Sequence, residues 1–291
     1  MSQSLFFVSG ITGHVGGATM RHLLEKGHKV RALVRDPQKA TEWEQKGVEL
    51  HQGDLNDSTA LATAMQGVDG AFLMQPPTPS PSPDFSEAKA NIVSFTEALK
   101  QAPPLRLVAL SSVGSQQSSG LGNITATHLL EEALGSQPFP TAFVRAGSFF
   151  ENFINSLDVA EKTGVFYSFL QPTDRAFPMV ATDDIGKEIA HLLTSEWSGK
   201  RIIELGSRIS PDELSGAMSE VLGREVTAQA IPRDQWAKTL ESIGMPPGTT
   251  SSFEEMEAGF NSGWIDFGIP GTEPVAGTTI PTQVFAEARK A

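Results

Sequence analysis

Short apolar runs and amphipathic stretches alternate along the first half of the chain. The apolar runs predict strands at 5–8, 29–34, 48–51, 70–74, 105–110 and 141–144. Helical patterns lie between them, after Gly10, after Asp36-Pro37, and over 58–66, 85–100 and 123–134. Because the predicted strands are apolar along almost their whole length, they are typical of a parallel sheet that is covered by helices on both faces.

The regular alternation ends near residue 146. Later segments predict a helix at 183–193, a strand at 201–205, a helix at 210–222, a strand at 225–231, a helix at 234–243 and a short helix after Pro281. We therefore predict an α/β fold with a doubly wound parallel sheet formed by residues 1–148 and 183–206. Residues 149–182 and 207–291 are expected to form a smaller, discontinuous domain over the carboxyl edge of that sheet.

Composition narrows the possible functions. The chain has 291 residues, no cysteine, and a net charge of −12 from 22 basic and 34 acidic side chains. The absence of cysteine excludes disulfides, thiolate metal sites and a cysteine nucleophile. The acidic balance argues against direct nucleic-acid binding, and six scattered histidines show no metal-ligand spacing. No apolar run approaches the about 20 residues of a membrane span, and the first residues lack a signal-peptide pattern. We expect a cytoplasmic monomer or homodimer.

A glycine-rich loop, Ser9-Gly10-Ile11-Thr12-Gly13-His14-Val15-Gly16, joins the first strand to the first helix. Three glycines at this spacing are also compatible with an ordinary tight turn. However, the strand before the loop, the helix after it and the next strand within 30 residues are the context of dinucleotide binding. Glycine lets the backbone approach a pyrophosphate, which binds free N–H groups at the helix start. The predicted contacts are Gly10, Thr12, Gly13, His14 and Val15.

Basic residues at the end of the second strand indicate which dinucleotide binds. Arg35 and Lys39 supply the cations that a 2′-phosphate requires, which favours NADP(H). In the alternative interpretation, Asp36 faces the ribose and Arg35 points to solvent. Asp54 and Leu55 follow the third strand, where a carboxylate can accept a hydrogen bond from the adenine amino group. A simple helix start explains Asp54 equally well.

Together these motifs resemble those of NmrA-like proteins, which are atypical short-chain dehydrogenases/reductases. Three further segments carry the resemblance, namely Ser111-Ser112, the stretch from Arg145 to Asn152, and 178–186. It covers most of the chain and is strongest over 5–195. It implies a Rossmann domain and an NADPH-dependent reductase acting on quinones, triphenylmethane dyes, imines or plant phenolics. The family also includes redox sensors that bind the dinucleotide without chemistry and control a protein partner.

Ligands of a doubly wound sheet bind at the carboxyl ends of its strands. We therefore expect the nicotinamide half of the cofactor to lie beside Gln75, Pro76, Ser111, Ser112 and Asn152. Nearby, Phe149 and Phe150 offer apolar surface for a flat aromatic or conjugated substrate, and packing between the domains is the alternative role of these rings.

The chain departs from the wider superfamily at the catalytic pair. That superfamily uses Tyr-x-x-x-Lys, whereas the one tyrosine here, Tyr167, is followed four residues later by Gln171. The matching helix carries His128 and Glu132 on one face. His128 is the candidate proton or hydrogen-bond donor, and a surface pair is the alternative. We predict hydride transfer to a flat acceptor such as a quinone, dye or imine, or else a non-catalytic NADP(H) sensor.

Overall fold

The computed structural model describes residues 3–290 and contains one large parallel sheet and two small sheets. The strands are β1 (Leu5–Val8), β2 (Lys29–Val34), β3 (Glu49–Gln52), β4 (Gly70–Leu73), β5 (Leu107–Ser112), β6 (Thr141–Ala146), β7 (Ser148–Phe149), β8 (Val165–Ser168), β9 (Phe177–Val180), β10 (Lys200–Leu205), β11 (Ser207–Ile209), β12 (Thr227–Ala230) and β13 (Glu273–Val275).

Eleven α-helices are present in the described part of the chain. They are α1 (His14–Glu25), α2 (Thr41–Gln45), α3 (Ser58–Met65), α4 (Ser86–Gln101), α5 (Thr125–Leu134), α6 (Ser156–Thr163), α7 (Thr182–Thr194), α8 (Pro211–Leu222), α9 (Trp236–Ser242), α10 (Ser251–Ser262) and α11 (Pro281–Ala288). Helices α1, α2 and α7 cover one face of the large sheet, whereas α3, α4 and α5 cover the other. The predicted doubly wound fold is therefore confirmed.

The order of strands in the large sheet is β13-β10-β6-β5-β4-β1-β2-β3, and all neighbouring pairs are parallel. From β1 the chain proceeds through β2 and β3 toward one edge. It then returns to β4 and proceeds through β5, β6 and β10 toward the other edge. The order thus reverses between β1 and β4, and such a reversal opens a ligand crevice at the carboxyl ends of the strands.

A second hydrophobic core lies under α6, α8, α10 and α11. It includes side chains from β8, β9, β11 and β12. Strands β11, β9 and β7 form a three-stranded sheet, and β8 and β12 form a separate parallel pair. Residues 273–275 depart from the predicted domain division, because they pair with 203–205 as the edge strand of the large sheet. The sequence patterns also missed α6 and α10.

Two buried carboxylates hold the C-terminal segment against the rest of the fold. Asp184 accepts hydrogen bonds from the backbone N–H groups of Thr278 and Thr279, both at 2.8 Å, and from the Thr278 hydroxyl at 2.7 Å. Glu204 accepts from the N–H of Gly268 at 2.8 Å and of Ile269 at 3.3 Å. Within residues 3–290, no helix has the length and apolarity needed to cross a membrane.

Candidate functional site

The glycine loop after β1 brings backbone unusually close to other atoms. Gly10 has a φ of +67°, and a Cβ there would lie 3.0 Å from the sulfur of Met74. At Gly16 an added Cβ would overlap the carbonyl group of Gly10. Gly13 lies directly before α1, whose first turn contains no acidic side chain. The loop therefore presents the electropositive start of a helix at the sheet crevice.

A cavity of about 380 Å³ adjoins this loop on the β2 side of the crevice. We call it the glycine-loop cavity, and it is lined by Ile11, Thr12, Gly13, His14, Gly17, Arg21, Lys39, Glu42, Trp43 and Thr182. Four predicted contacts lie here: Thr12, Gly13, His14 and Lys39. Arg21 was not predicted, although Gly13, Gly17 and Arg21 recur every four residues and so share one face of α1.

The basic residues near this cavity differ in how they are paired. Arg21 lies 3.2 Å from the carboxylate of Asp183. Neither Arg35, which is exposed at the end of β2, nor Lys39 forms an ion pair with any acidic side chain of residues 3–290. The carboxylate of Asp36 accepts from the N–H of Gln38 at 3.1 Å and so caps the following 3₁₀ turn. Because the Asp36 carboxylate is used in this local bond, the structure favours Arg35 and Lys39 over Asp36 as the groups that face the ribose.

Asp54 is exposed after β3, and its carboxylate accepts from the N–H of Asn56 at 2.9 Å. Leu55 beside it is half-buried. One carboxylate oxygen of Asp54 thus serves a local turn, and adenine contact by these two residues stays a prediction.

A second cavity, of about 270 Å³, lies on the β4 side of the crevice. We call it the proline cavity, because residues 75–81 form one wall and the turn before α5 forms another. Gln75 and Pro76 both line it, as predicted for the neighbourhood of the nicotinamide. The Gln75 amide donates to the carbonyl of Ala88 and accepts from Asn91, both at 3.1 Å, and α4 therefore fixes its orientation.

Ser111 belongs to a buried polar network under the crevice. Its hydroxyl donates to Glu131 at 2.5 Å, and Glu131 also accepts two hydrogen bonds from Arg145, at 2.8 and 2.6 Å. The Ser111 hydroxyl is therefore already bound within the protein. Ser112 is half-buried, and its hydroxyl donates to the carbonyl of Val113 at 3.2 Å. The sequence patterns did not reveal Glu131 and Arg145 as partners, because they lie on different elements.

His128 is held on both sides of its ring. Nδ1 lies 2.9 Å from the carbonyl oxygen of Ser115, so this nitrogen carries the proton and donates. Nε2 lies 3.5 Å from the carboxylate of Glu132, and 13% of the side chain is exposed. His128 lines neither the glycine-loop cavity nor the proline cavity. A proton-donor role therefore depends on Nε2 and stays a prediction.

The aromatic residues after β6 have different surroundings. Phe150 is 2% exposed and packs in the second core, which favours the packing alternative over substrate contact. Phe149 is half-buried and packs against the core of the large sheet. Asn152 is exposed. Between them, Glu151 accepts from the N–H and hydroxyl of Thr182, at 2.9 and 2.6 Å, and links this segment to the rim of the glycine-loop cavity.

The fold, the glycine loop and the two cavities define a nucleotide-binding α/β protein. The chain belongs to the NmrA-like family, whose model matches residues 2–269, and the family predicted from the motifs is confirmed.

Named relatives span nearly the whole chain. NAD(P)H azoreductase of Xenophilus azovorans is 26% identical over 289 residues, which cover 99% of this chain and 97% of that protein. Quinone oxidoreductase 2 of Escherichia coli is 23% identical over 262 residues, 89% and 88% of the two chains. Among solved structures, the triphenylmethane reductase of Citrobacter sp. complexed with NADP(H) has a TM-score of 0.80 at 19% identity, covering 98% and 99%.

Proposed function

We propose that this protein is an NADPH-dependent reductase that transfers hydride to a flat acceptor such as a quinone, a dye or an imine. The observation that carries the proposal is the pair of cavities on either side of the strand-order reversal. One has basic side chains beside a glycine loop, and the other is lined mainly by proline, alanine and phenylalanine. The similarity of the chain to an azoreductase, a quinone oxidoreductase and a triphenylmethane reductase supports the same class of reaction.

The residues present fit NADP(H). The loop from Gly10 to Val15 would hold the pyrophosphate, because no side chain caps the start of α1 and its first turn has no acidic residue. Lys39 and Arg35, together with Arg21, would hold the 2′-phosphate, since guanidinium and ammonium groups bind phosphate oxygens. Gln75, Pro76, Ser112 and Asn152 would border the nicotinamide half. The bound cofactor supplies the hydride.

The protein contributes orientation and exclusion of water more than acid catalysis. Reduction of a quinone to a hydroquinone consumes one hydride and one proton. Tyr167 cannot act in a Tyr-x-x-x-Lys pair, and solvent or His128 Nε2 would supply the proton. If His128 is the donor, His128→Ala should lower kcat by roughly ten- to a thousandfold while NADPH affinity stays within about twofold.

The alternative function is a non-catalytic NADP(H) sensor that regulates a protein partner. One observation favours it, because both ring nitrogens of His128 already face protein groups. A panel of quinones, azo dyes, triphenylmethane dyes and imines separates the two functions. A reductase oxidises NADPH with at least one acceptor, whereas tight NADPH binding with no turnover across the panel would support the sensor.

A further inference from the structure

The backbone of Phe85 has an unfavourable conformation. This residue lies directly before α4 with a φ of +55° and a ψ of +36°, in the left-handed region that favours glycine. It is the one non-glycine residue among residues 3–290 with a positive φ. Because a Cβ raises the free energy of this conformation, the side chain of Phe85 costs the fold stability at this position.

The turn that contains Phe85 does not require an aromatic side chain. The N–H of Phe85 donates to the carbonyl of Ser82 at 2.9 Å, and its carbonyl accepts from the N–H of Lys89 at 3.0 Å. Both hydrogen bonds use backbone atoms, and glycine would form them without strain. The local structure therefore explains the left-handed conformation but not the residue type.

Packing in a core does not explain the residue type either. Every other phenylalanine of the chain belongs to a hydrophobic core or packs against one, or pairs edge to face with another ring, as Phe169 and Phe253 do at 5.4 Å. Among the contacts of residues 3–290, Phe85 does neither. Phe85 is half-buried and lines the proline cavity, so the cavity is the environment that its side chain serves.

The proline cavity suits a flat aromatic ligand. Its volume of about 270 Å³ lies just below the roughly 300–1,000 Å³ of pockets for drug-sized molecules, and it fits one or two rings. Pro76, Pro79 and Ala126 line it with apolar groups, and Phe85 is the one aromatic lining residue in the described part of the chain. Aromatic rings attract one another in offset or edge-to-face pairs, beyond the gain from burying their apolar area.

The wall beside Phe85 is preformed. Residues 75–83 contain five prolines, which restrict the backbone and lower the entropy that binding must overcome. The Ser82 hydroxyl donates to Glu87 at 2.5 Å across the turn that contains Phe85. The amide of Gln75 is bound on both sides by residues of α4. A ligand would therefore meet a surface whose shape is fixed before it binds.

We propose that the proline cavity is the acceptor site and that Phe85 is its aromatic contact, retained in a strained conformation because its ring packs on a flat acceptor of one or two rings. Strained residues cluster at ligand sites for this reason. The proposal deepens the reductase function and rests on it for the word acceptor. Naphthoquinones are the representative substrate class.

Variants of Phe85 test the proposal through both stability and ligand affinity. Phe85→Gly removes the strain and the ring together. Phe85→Leu keeps the strain and an apolar side chain, and Phe85→Tyr keeps the strain and the ring. Phe139→Gly is the matched control, because Phe139 is also half-buried but packs against a core and does not have a positive φ. All variants are made in the full chain.

Stability should respond in opposite ways at the two positions. Phe85→Gly should melt at the temperature of the unmutated chain or above it, because glycine adopts the left-handed conformation without strain. Phe139→Gly should melt at a lower temperature, because a core contact is lost. A melting temperature that falls as far in Phe85→Gly as in Phe139→Gly would show that Phe85 serves the fold and would overturn the proposal.

Calorimetry with naphthol, which NADPH does not reduce, measures affinity without turnover. Decahydronaphthol, its saturated analogue, has the same ring skeleton without aromatic faces. In the presence of NADP⁺, we expect Phe85→Gly to weaken naphthol about tenfold or more and Phe85→Leu to weaken it about two- to tenfold. Phe85→Tyr should retain naphthol within about twofold, and Phe85→Leu should change decahydronaphthol by less than about twofold. NADPH affinity should stay within about twofold in all three variants, because its phosphates are held at the glycine loop.

Different results would overturn the two proposals separately. Absence of naphthol binding, unchanged naphthol affinity in Phe85→Gly, or equal loss of naphthol and decahydronaphthol in Phe85→Leu would overturn the aromatic acceptor site even if quinones are reduced. Naphthol binding that depends on Phe85, in a protein that reduces no acceptor, would leave the ligand site standing and overturn the reductase.

Discussion

Arg145 and Glu131 form a two-point ion pair in which both side chains are less than a tenth exposed. The pair joins the end of β6 to α5 and takes up the Ser111 hydroxyl as well. The pair therefore holds the carboxyl ends of β5 and β6 in place under the crevice. The side chains of Arg145, Glu131 and Ser111 all form these hydrogen bonds without a ligand.

Removing one partner of this pair should be far more costly than removing both. Glu131→Leu leaves a buried guanidinium unpaired, and we expect a loss of about 3–5 kcal/mol in the free energy of unfolding. Glu131→Leu with Arg145→Met should recover most of that loss, because the buried charge is gone. Denaturant unfolding of the single and double variants checks this. A single variant as stable as the unmutated chain would show that the pair is not buried as described.

The glycine loop offers a matched pair of substitutions. Gly13 has a φ of −102°, which any residue can adopt, and an added Cβ would meet nothing closer than Gly10 O at 3.4 Å. Gly13→Val should therefore fold normally and lower the affinity for NADPH and NADH by at least about tenfold, because its side chain blocks the phosphate cradle. Gly16→Ala should instead reduce the melting temperature. Normal NADPH affinity in folded Gly13→Val would contradict the assignment of the loop.

NADP(H) selectivity should depend on Lys39 and Arg35. Either residue changed to alanine should weaken NADPH by roughly 1.5–3 kcal/mol, the scale of hydrogen bonds between charged groups, and leave NADH within about twofold. Calorimetry with both dinucleotides checks this, and Lys100→Ala at the remote end of α4 is the control. Equal losses for NADPH and NADH would mean that these cations contact the pyrophosphate.

Much of the fold could be predicted because its information is local. Strands such as 70–73 are apolar along their length, and the loop from Gly10 to Gly16 carries its own turn chemistry. Helices α6 and α10 were missed because their apolar positions face the second core, which is assembled from distant segments. Residues 273–275 include a proline and are short, so nothing local indicates that they complete the large sheet.

The same distinction between local and distant information applies to the residues of the candidate site. Thr12 and His14 belong to one loop, so the sequence could place them beside each other, whereas Trp43 and Thr182 enter the glycine-loop cavity from other elements. Contact of these residues with a dinucleotide stays a prediction. The sequence predicts Phe150 as a substrate contact, because an apolar side chain can line a site or pack in a core and the sequence does not distinguish the two. Its burial depends on the second core.

Glu257 should make stability depend on pH. Burial raises the pKa of this carboxyl from its ordinary value of 4.5 to about 8. The folded protein therefore binds more protons than the unfolded chain between these values, and stability should fall as the pH rises through this range.

Glu257→Gln removes the titrating group. It should be more stable than the unmutated chain at about pH 9, by on the order of a few kcal/mol, and similar to it at about pH 5. Denaturant unfolding across this range checks the slope, and Glu287→Gln, which changes an exposed carboxyl, is the control. A parallel pH profile for Glu257→Gln would contradict the burial of a protonated carboxyl.

Single-turnover reduction tests the central claim most directly. The protein, in molar excess over NADPH so that the NADPH is bound, would be mixed rapidly with naphthoquinone. The absorbance of the reduced nicotinamide would be followed. The account predicts that bound NADPH is consumed in one fast phase, one hydroquinone forms per NADPH, and Lys39→Ala shows the same phase once NADPH is saturating. Bound NADPH that stays reduced with naphthoquinone and with every other acceptor tried would contradict a reductase.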